Sequence, residues 1–288
     1  MKIIQEENYE YAMRNEVEPY LAAHCRDKFV IGAKEDRQGK TTRAGKLHVK
    51  FYETERPKGV VIVSHGFTEG APKYDEMVYY LLKAGYHVCI PEHTGHGLSY
   101  RLTEDPSLVH IDTWKRFVRD FLKICHHTVR RYPNLPRFLF AHSMGGAIGT
   151  IAAAWEPDLF QKIILSSPMI RPLTGNVPWP LTVAIAQTEC LVGRAKKYVI
   201  GQKSYDGSET LETSAAVSEA RFTRYNENKN IRFKTNSIEI IHKSTSLKSR
   251  LYNYLKSKPN SSIVLSLYYG IHDETIDEIY TMLGYGYM

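Results

Sequence analysis

Short apolar runs alternate with amphipathic segments over much of the chain. The run GVVIVSHG at 59–66 stays apolar until it ends in a turn, which is typical of a strand buried on both faces. The segments at 86–93, 137–142 and 162–168 (YHVCIPEH, RFLFAH and KIILSSP) predict three further strands. The segment LHVKFYET at 47–54 alternates apolar and polar residues, and therefore predicts a half-exposed strand.

Helical periods lie between these strands. The segment at 74–85 predicts a helix that ends at Gly85, and the one at 112–133 predicts a long amphipathic helix with Asp112 as its N-cap. A third helix of small residues is expected at 145–157. Strands and helices that alternate in this way require a parallel sheet with right-handed crossovers and helices on both faces. The fold class is therefore α/β, with the functional site at the C-terminal ends of the strands.

The alternation breaks between 169 and 235. Prolines surround an apolar segment near Trp179, and a polar stretch rich in Gly, Ser and Thr follows. We interpret this region as a helical cap, or lid, inserted over the strand ends. One more strand is predicted at 261–270, so the α/β core is expected to comprise 1–168 and 236–288.

A serine stands where a predicted strand ends and a predicted helix begins. Residues 138–146 read FLFAHSMGG, which matches the pattern G-x-S-x-G with Ala141 in the first glycine position. A serine hydroxyl is a poor nucleophile until a base takes its proton and the developing oxyanion is stabilised. The flanking strand and helix favour Ser143 as a nucleophile over a chance Ser-x-Gly turn. The N–H groups of Met144 and of Phe67, after an earlier strand, are the expected oxyanion-hole donors.

The segment from HGFTEG to GHGLSYR at 65–101, followed by AHSMGG at 141–146, resembles the α/β-hydrolase superfamily. Within it, the chain is most similar to the monoacylglycerol lipase and lysophospholipase branch, whose domain is also described as serine aminopeptidase-like. The resemblance is good over 60–170, loose in the cap and poor at the C-terminus. It implies a serine ester hydrolase that acts on a lipid-like acyl ester without a metal or an organic cofactor.

The acid and the base of a triad should follow Ser143 in that order. The sequence GIHD at 270–273 is similar to the acid motif of the superfamily, so Asp273 is the expected acid, the alternative being a surface turn residue. Fifteen residues follow Asp273 and none is a histidine. A helix, a strand and a loop bearing the base would need on the order of 25 residues. The sequence therefore favours a chain that is truncated or frame-shifted, without the last strand, helix and histidine loop of the superfamily.

Two alternative assignments of the base stay open. His272 could be the base, with the acid elsewhere and Glu239 as its candidate, or His93 or His96 could substitute. We favour truncation because the side chains of His272 and Asp273 should point in opposite directions. On that interpretation the chain has weak esterase activity at most. The rival functions are an aminopeptidase or amidase of the same fold, and a catalytically inactive lipid-binding protein.

The net charge of +7 is concentrated in one segment. Residues 221–258 contain ten Lys and Arg against two Glu, which indicates first a solvated helical face and second a weak contact with an anionic membrane. No zinc finger, helix-turn-helix or basic-aromatic pattern accompanies the charge, which argues against nucleic acid as a partner. The sequence carries no indication of an oligomeric state.

The N-terminal segment bears on location. Its first 18 residues contain five glutamates and no apolar core of a secretory signal, and no apolar run approaches the length of a membrane span. A cytoplasmic location is therefore expected. The four cysteines are scattered, without zinc-ligand spacing, and we interpret them as buried free thiols.

Overall fold

The computed structural model describes residues 3–33, 44–169, 177–199, 210–212, 214, 216–227, 235–236 and 263–266. In this part of the chain a seven-stranded sheet forms the centre of the molecule, and a two-stranded ladder lies apart from it. The strands are β1 (Cys25–Ile31), β2 (Lys46–Tyr52), β3 (Val60–Ser64), β4 (His87–Pro91), β5 (Leu108–Val109), β6 (Arg137–His142), β7 (Lys162–Ser166), β8 (Thr235–Asn236) and β9 (Ile263–Ser266).

The helices lie mainly between the strands, as the sequence predicts. Two short 3-10 helices, Glu6–Asn8 and Ala71–Tyr74, and one π-helical segment, Met13–Val17, adjoin α-helices. The α-helices are α1 (Tyr9–Ala12), α2 (Glu18–His24), α3 (Asp75–Lys83), α4 (Trp114–Arg131), α5 (Met144–Trp155), α6 (Trp179–Leu191) and α7 (Glu219–Glu227). No helix of the described ranges is long and apolar enough to cross a membrane.

The sheet brings the ends of two central strands together. Its order is β1-β2-β4-β3-β6-β7-β9, in which β1, β2 and β4 pair antiparallel and all later pairs are parallel. Ser64, the last residue of β3, pairs with Ala141 of β6, and His142 pairs with Ser166 of β7. The loop after β3 and the turn after β6 therefore open at the same edge of the sheet.

Both faces of the sheet are covered. All residues of β3 are buried, as the continuous apolar run predicts. Val60 and Ile62 lie in a buried cluster with residues of α4 and α5, while Val61 and Val63 lie in a second cluster with α3 and the N-terminal helices. Successive side chains of a strand point to opposite faces, so helices must pack on both.

Two predictions about local structure are wrong. The strand at 47–54 is not half-exposed: β1 pairs with its edge, and most of β2 is buried because packing covers both of its faces. The sequence did not reveal β1, a largely exposed edge strand rich in charges, which discourages pairing with another chain. Asp112 is not the N-cap of α4; Thr113 holds that position, and Asp112 pairs with Arg116 instead.

Other local predictions are confirmed. The helix predicted at 74–85 stops before Gly85: α3 ends at Lys83, and Gly85 follows its C-cap with a φ of 87°, which suits a residue without a side chain. The strand at 137–142 has the predicted bounds. The four cysteines form no disulfide; Cys89 and Cys125 are buried as predicted, whereas Cys25 and Cys190 are only partly buried. Two helices of the predicted cap, α6 and α7, are described, and its boundaries stay a prediction.

Candidate active site

Ser143 occupies a strained turn between β6 and α5. Its φ is 50° and its ψ is −121°, a conformation that costs a residue with a side chain about 1–3 kcal/mol. The turn is held by its backbone. The Ser143 N–H donates to the carbonyl oxygen of Ser166 at 3.0 Å, and its own carbonyl accepts from Gly146 at 2.9 Å and Met169 at 2.8 Å. Strain at a partly exposed serine, fixed in this way from several sides, marks a candidate functional position.

The glycines after Ser143 allow the helix to approach the sheet closely. A Cβ at Gly145 would lie 2.1 Å from the carbonyl oxygen of Ser64 and 2.5 Å from that of His65. A Cβ at Gly146 would lie 2.7 Å from the Cβ of Pro168. Ala141 stands in the usual first glycine position of the pattern, and its methyl group is fully buried in the core.

The two expected oxyanion donors are among the backbone N–H groups at this edge that have no hydrogen-bond acceptor in the described residues. One belongs to Met144, which begins α5 and whose N–H no carbonyl of the helix can satisfy. The other belongs to Phe67, in the loop after β3. Because α5 begins against the backbone of Ser64 and His65, both groups lie at one edge of the sheet. Such a pair of donors could hold an oxyanion.

The loop after β3 is braced by side chains. The Gly66 N–H donates to Glu69 Oε2 at 2.7 Å, and the Thr68 N–H donates to His96 Nε2 at 3.1 Å. His65 is fully buried, donates from Nδ1 to the Gly66 carbonyl at 2.8 Å and accepts the His93 N–H at Nε2. These bonds use both ring nitrogens of His65 for structure.

Glu69 is the buried carboxylate of this loop. It accepts hydrogen bonds from Gly66 and from the Tyr74 hydroxyl, it forms an ion pair with Lys73, and its Oε1 lies 3.6 Å from His142 Nε2. Burial by itself would raise the pKa of Glu69, but the Lys73 ammonium and these donors outweigh it and lower the pKa to about 2. Sequence reasoning missed this role, although the glutamate is visible in HGFTEG.

A second buried carboxylate supports the GHGLS segment. Glu92 accepts hydrogen bonds from His48 Nδ1 at 2.9 Å, the Leu98 N–H at 2.7 Å and the Ala71 N–H at 3.1 Å. Burial opposes its ionisation, yet these donors lower its pKa to about 2. A Cβ at Gly97, where φ is 49°, would lie 1.9 Å from Glu92 Oε2. The glycine of this segment is therefore required by the carboxylate beneath it.

His93 and His96 are poorly placed to serve as the base. His96 donates from Nδ1 to the Thr94 carbonyl at 3.1 Å and accepts the Thr68 N–H at Nε2, so neither nitrogen is available. Burial lowers its pKa to about 3. His93 Nε2 lies 3.0 Å from the Ser64 hydroxyl, and burial holds the pKa of His93 well below its usual range. Both are structural histidines of the core.

The other triad candidates are not brought together in the described part of the chain. No residue there hydrogen bonds to the Ser143 hydroxyl. His142, next to it, directs Nδ1 to the Ser166 carbonyl at 3.1 Å and Nε2 towards Glu69. Asp273, His272 and Glu239 lie outside the described residues, as does His242. Asp273 therefore stays a prediction.

The chain matches a known protein family over most of its length. The sequence profile of the family described as "Serine aminopeptidase, S33" matches residues 55–278. Over 114 residues the chain is 40% identical to a monoglyceride lipase of Rattus norvegicus, which covers 40% of this chain and 36% of the relative. It is 34% identical over 125 residues to lysophospholipase L2 of Escherichia coli, which covers 43% of this chain and 37% of the relative. The chain thus spans little more than a third of the length of these relatives.

Solved structures share the architecture. A thermostable carboxyl esterase of Bacillus coagulans aligns with a TM-score of 0.65 at 18% identity, over 90% of this chain and 86% of that chain. A soluble variant of monoglyceride lipase from Saccharomyces cerevisiae aligns with a TM-score of 0.59 at 16% identity, over 83% of this chain and 77% of that chain. At these identities the likeness establishes the fold alone.

Proposed function

Because the chain belongs to the serine aminopeptidase S33 family and has the α/β-hydrolase fold that its sequence predicts, we propose that it is a serine ester hydrolase. The observation that carries this proposal is the strained turn at Ser143, next to two N–H groups without an acceptor among the described residues. Its similarity to a monoglyceride lipase and a lysophospholipase supports a lipid-like acyl ester as the substrate.

In the proposed reaction, Ser143 Oγ attacks the acyl carbon and its proton passes to a base. The carbonyl oxygen becomes an oxyanion, which the N–H groups of Phe67 and Met144 hold. Each such donor is worth about 2.7–4 kcal/mol in a serine hydrolase. When the oxyanion collapses, the alcohol leaves and an acyl-enzyme on Ser143 remains, which water then hydrolyses. Asp273 is the proposed acid that orients the base, and we assign none of the described histidines as that base.

The described cap helix supports a lipid substrate. Along α6 only Ala186 is buried, whereas Leu181 is 53% exposed and Leu191 is 87% exposed. Exposing apolar side chains of this size to water costs free energy, and contact between the lid and a lipid would remove that cost. We therefore propose that 169–235 forms the lid.

The basic segment contributes less to membrane contact than its charge indicates. Arg221 pairs with Glu6 and Glu76, and Arg224 pairs with Glu10 and Glu18, so these two cations are already neutralised within the chain. The remaining eight basic residues of 221–258 lie outside the described residues. A contact with an anionic membrane would have to rest on those eight.

A fluorophosphonate probe tests the proposal, since only an activated serine reacts with it. An activated Ser143 predicts that the protein is labelled and that the Ser143→Ala variant is not. Ser214→Ala is the matched control, because among the described residues the Ser214 hydroxyl bonds only to the neighbouring backbone of Leu211 and Ala216. Absence of labelling in the wild-type protein, or equal labelling of the Ser143→Ala variant, would contradict the proposal.

Substrate assays separate the proposed activity from its rivals. Hydrolysis of p-nitrophenyl esters without cleavage of amino-acid arylamides identifies an ester hydrolase, and the reverse result identifies an aminopeptidase or amidase. Binding of a monoacylglycerol without turnover or labelling identifies an inactive lipid-binding protein.

A further inference from the structure

Helix α7 is fastened to the N-terminal part of the chain by arginine side chains. Arg221 donates two hydrogen bonds to Glu76, at 2.8 and 2.9 Å, and a third to Glu6 at 3.2 Å. Arg224 donates to both carboxylate oxygens of Glu10, at 2.9 and 3.0 Å. Bidentate pairs of this kind fix the orientation as well as the position of a helix. Helix α7 is therefore held firmly at one end of the sheet.

From this anchored helix, one side chain reaches the loop after β3. The Tyr225 hydroxyl donates to the carbonyl oxygen of Thr68 at 2.9 Å, across 157 residues of sequence. The Lys73 ammonium lies 5.3 Å from the centre of the Tyr225 ring, within the range of a cation–π contact. Tyr225 is itself only partly buried, so it covers the loop from the solvent side.

Thr68 needs such support because its backbone is strained. Its φ is 61°, a left-handed value that is rare for a β-branched residue. Its N–H is held by His96 in the core, and its carbonyl is held by Tyr225 from outside. If the carbonyl is released, Thr68 can relax towards a negative φ. Because the Thr68 N–H stays bound to His96, that rotation would displace Glu69, whose carboxylate holds the Gly66 N–H, and so would shift the peptide that carries the Phe67 N–H.

Tyr225 differs from the other residues that support the loop after β3 in the part of the chain from which it comes. Glu69, His65 and His96 brace the loop from the first hundred residues of the chain. Among the described residues, Tyr225 is the one brace that comes from the predicted cap. The cap is thereby connected to the residue next to a proposed oxyanion donor.

We propose that Tyr225 is a positioning residue, which holds the loop after β3 so that the Phe67 N–H faces the acyl oxygen in the transition state. Its effect on catalysis rests on the proposed ester hydrolase function. Its effect on the loop does not, because the hydrogen bond to Thr68 exists without substrate.

The test compares Tyr225→Phe with the full-length wild-type protein. The matched control is Tyr132→Phe, which also removes a tyrosine hydroxyl, one that donates to Glu53 at 2.8 Å in another part of the fold. Hydrogen exchange of a peptide covering 64–70 reports the loop, and ester hydrolysis reports kcat and KM. A hydrogen bond between neutral groups contributes about 0.5–1.5 kcal/mol, so we expect roughly three- to tenfold faster exchange in this peptide and a similar fall in kcat.

A positioning role requires that in Tyr225→Phe the exchange of 64–70 rises and kcat falls, while KM stays close to the wild-type value. Tyr132→Phe should leave both the exchange and kcat unchanged. The proposal is overturned if Tyr225→Phe exchanges at the wild-type rate, or if kcat stays the same while exchange rises. If the wild-type protein hydrolyses no ester, the proposed function fails. The exchange of 64–70 then decides the inference alone: faster exchange in Tyr225→Phe supports it, and unchanged exchange overturns it.

Discussion

Replacement of Gly145 by alanine would test how closely the helix after Ser143 must approach the sheet. The added Cβ would lie 2.1 Å from the Ser64 carbonyl oxygen, 2.4 Å from the Ser64 carbonyl carbon and 2.5 Å from the His65 carbonyl oxygen. All three are backbone atoms, so no side chain can turn away. To reach normal contact, α5 and the end of β3 must separate by about 1 Å or more.

This displacement has a cost that can be bounded. Overpacking of a close-packed interior costs about 1–3 kcal/mol, against which alanine gains at most about 1 kcal/mol over glycine within a helix. Because every close contact is with backbone, the upper end of that range applies, and after the gain from alanine we expect a net loss of about 2 kcal/mol in the free energy of unfolding for Gly145→Ala. The proposed catalysis should suffer more, because a misplacement of about 1 Å can cost about 100-fold in rate.

Gly149→Ala is the matched control on the same helix. Its Cβ would lie 2.8 Å from Leu139 Cδ2, the end of a flexible side chain, and 3.3 Å from the Ala141 Cβ. We expect its stability to stay within about 1 kcal/mol of wild type. Urea unfolding followed by circular dichroism gives both stabilities, and the rate of fluorophosphonate labelling gives the effect on Ser143. If Gly145→Ala matches Gly149→Ala in both measurements, the close approach of α5 to β3 does not matter and the reasoning is refuted.

Three further predictions concern acid stability, the base and the lid. The pKa values of Glu69 and Glu92 are about 2 in the folded state against 4.5 for an ordinary glutamate. Each carboxylate should therefore contribute about 3 kcal/mol to the free energy of unfolding above pH 4.5, a contribution that is lost as the pH falls through 2. In urea unfolding between pH 6 and pH 3, the free energy of unfolding of Glu92→Gln should vary less with pH than that of the wild type, and an equal variation would contradict the prediction. Because the side chain of His272 should point away from that of its neighbour, we expect His272→Ala to hydrolyse esters as fast as His242→Ala does; a loss of several orders of magnitude in His272→Ala alone would make it the base. Leu181→Asp should weaken binding to neutral lipid vesicles in a flotation assay, and equal binding of variant and wild type would argue against an apolar lid.

The local elements of the fold could be read from the sequence with good accuracy. The strand β3, the strand β6 and the helix α5 are encoded by apolar periods and turn residues that depend on neighbours within a few positions. The tight turn at Ser143 is also predicted locally, because a strand, the serine and two nearby glycines follow one another within a few residues. The family resemblance carried by these motifs is confirmed.

The edge of the sheet was harder to predict. Strand β1 is mostly exposed and has three charged residues among its first four, so its pattern does not predict a strand, and its pairing with β2 joins segments whose patterns do not indicate one another. The burial of β2 was underestimated because it also depends on distant segments. Its alternating pattern predicts one solvent-exposed face, but helices from elsewhere in the chain cover that face too. The acid and base of the triad stay predictions, because Asp273 and His272 lie outside the described residues.

The sequence by itself determined the order in which the parts of the site occur along the chain: a buried strand, the loop that follows it, and a serine at the start of a small-residue helix. Only the tertiary structure decided which polar groups support that site. Glu69 and Glu92 become anchors because the fold removes them from water and surrounds them with donors. Tyr225 meets Thr68 because α7 docks on distant acidic residues. Burial and long-range partners are properties of the folded packing, and no local period along a chain encodes them.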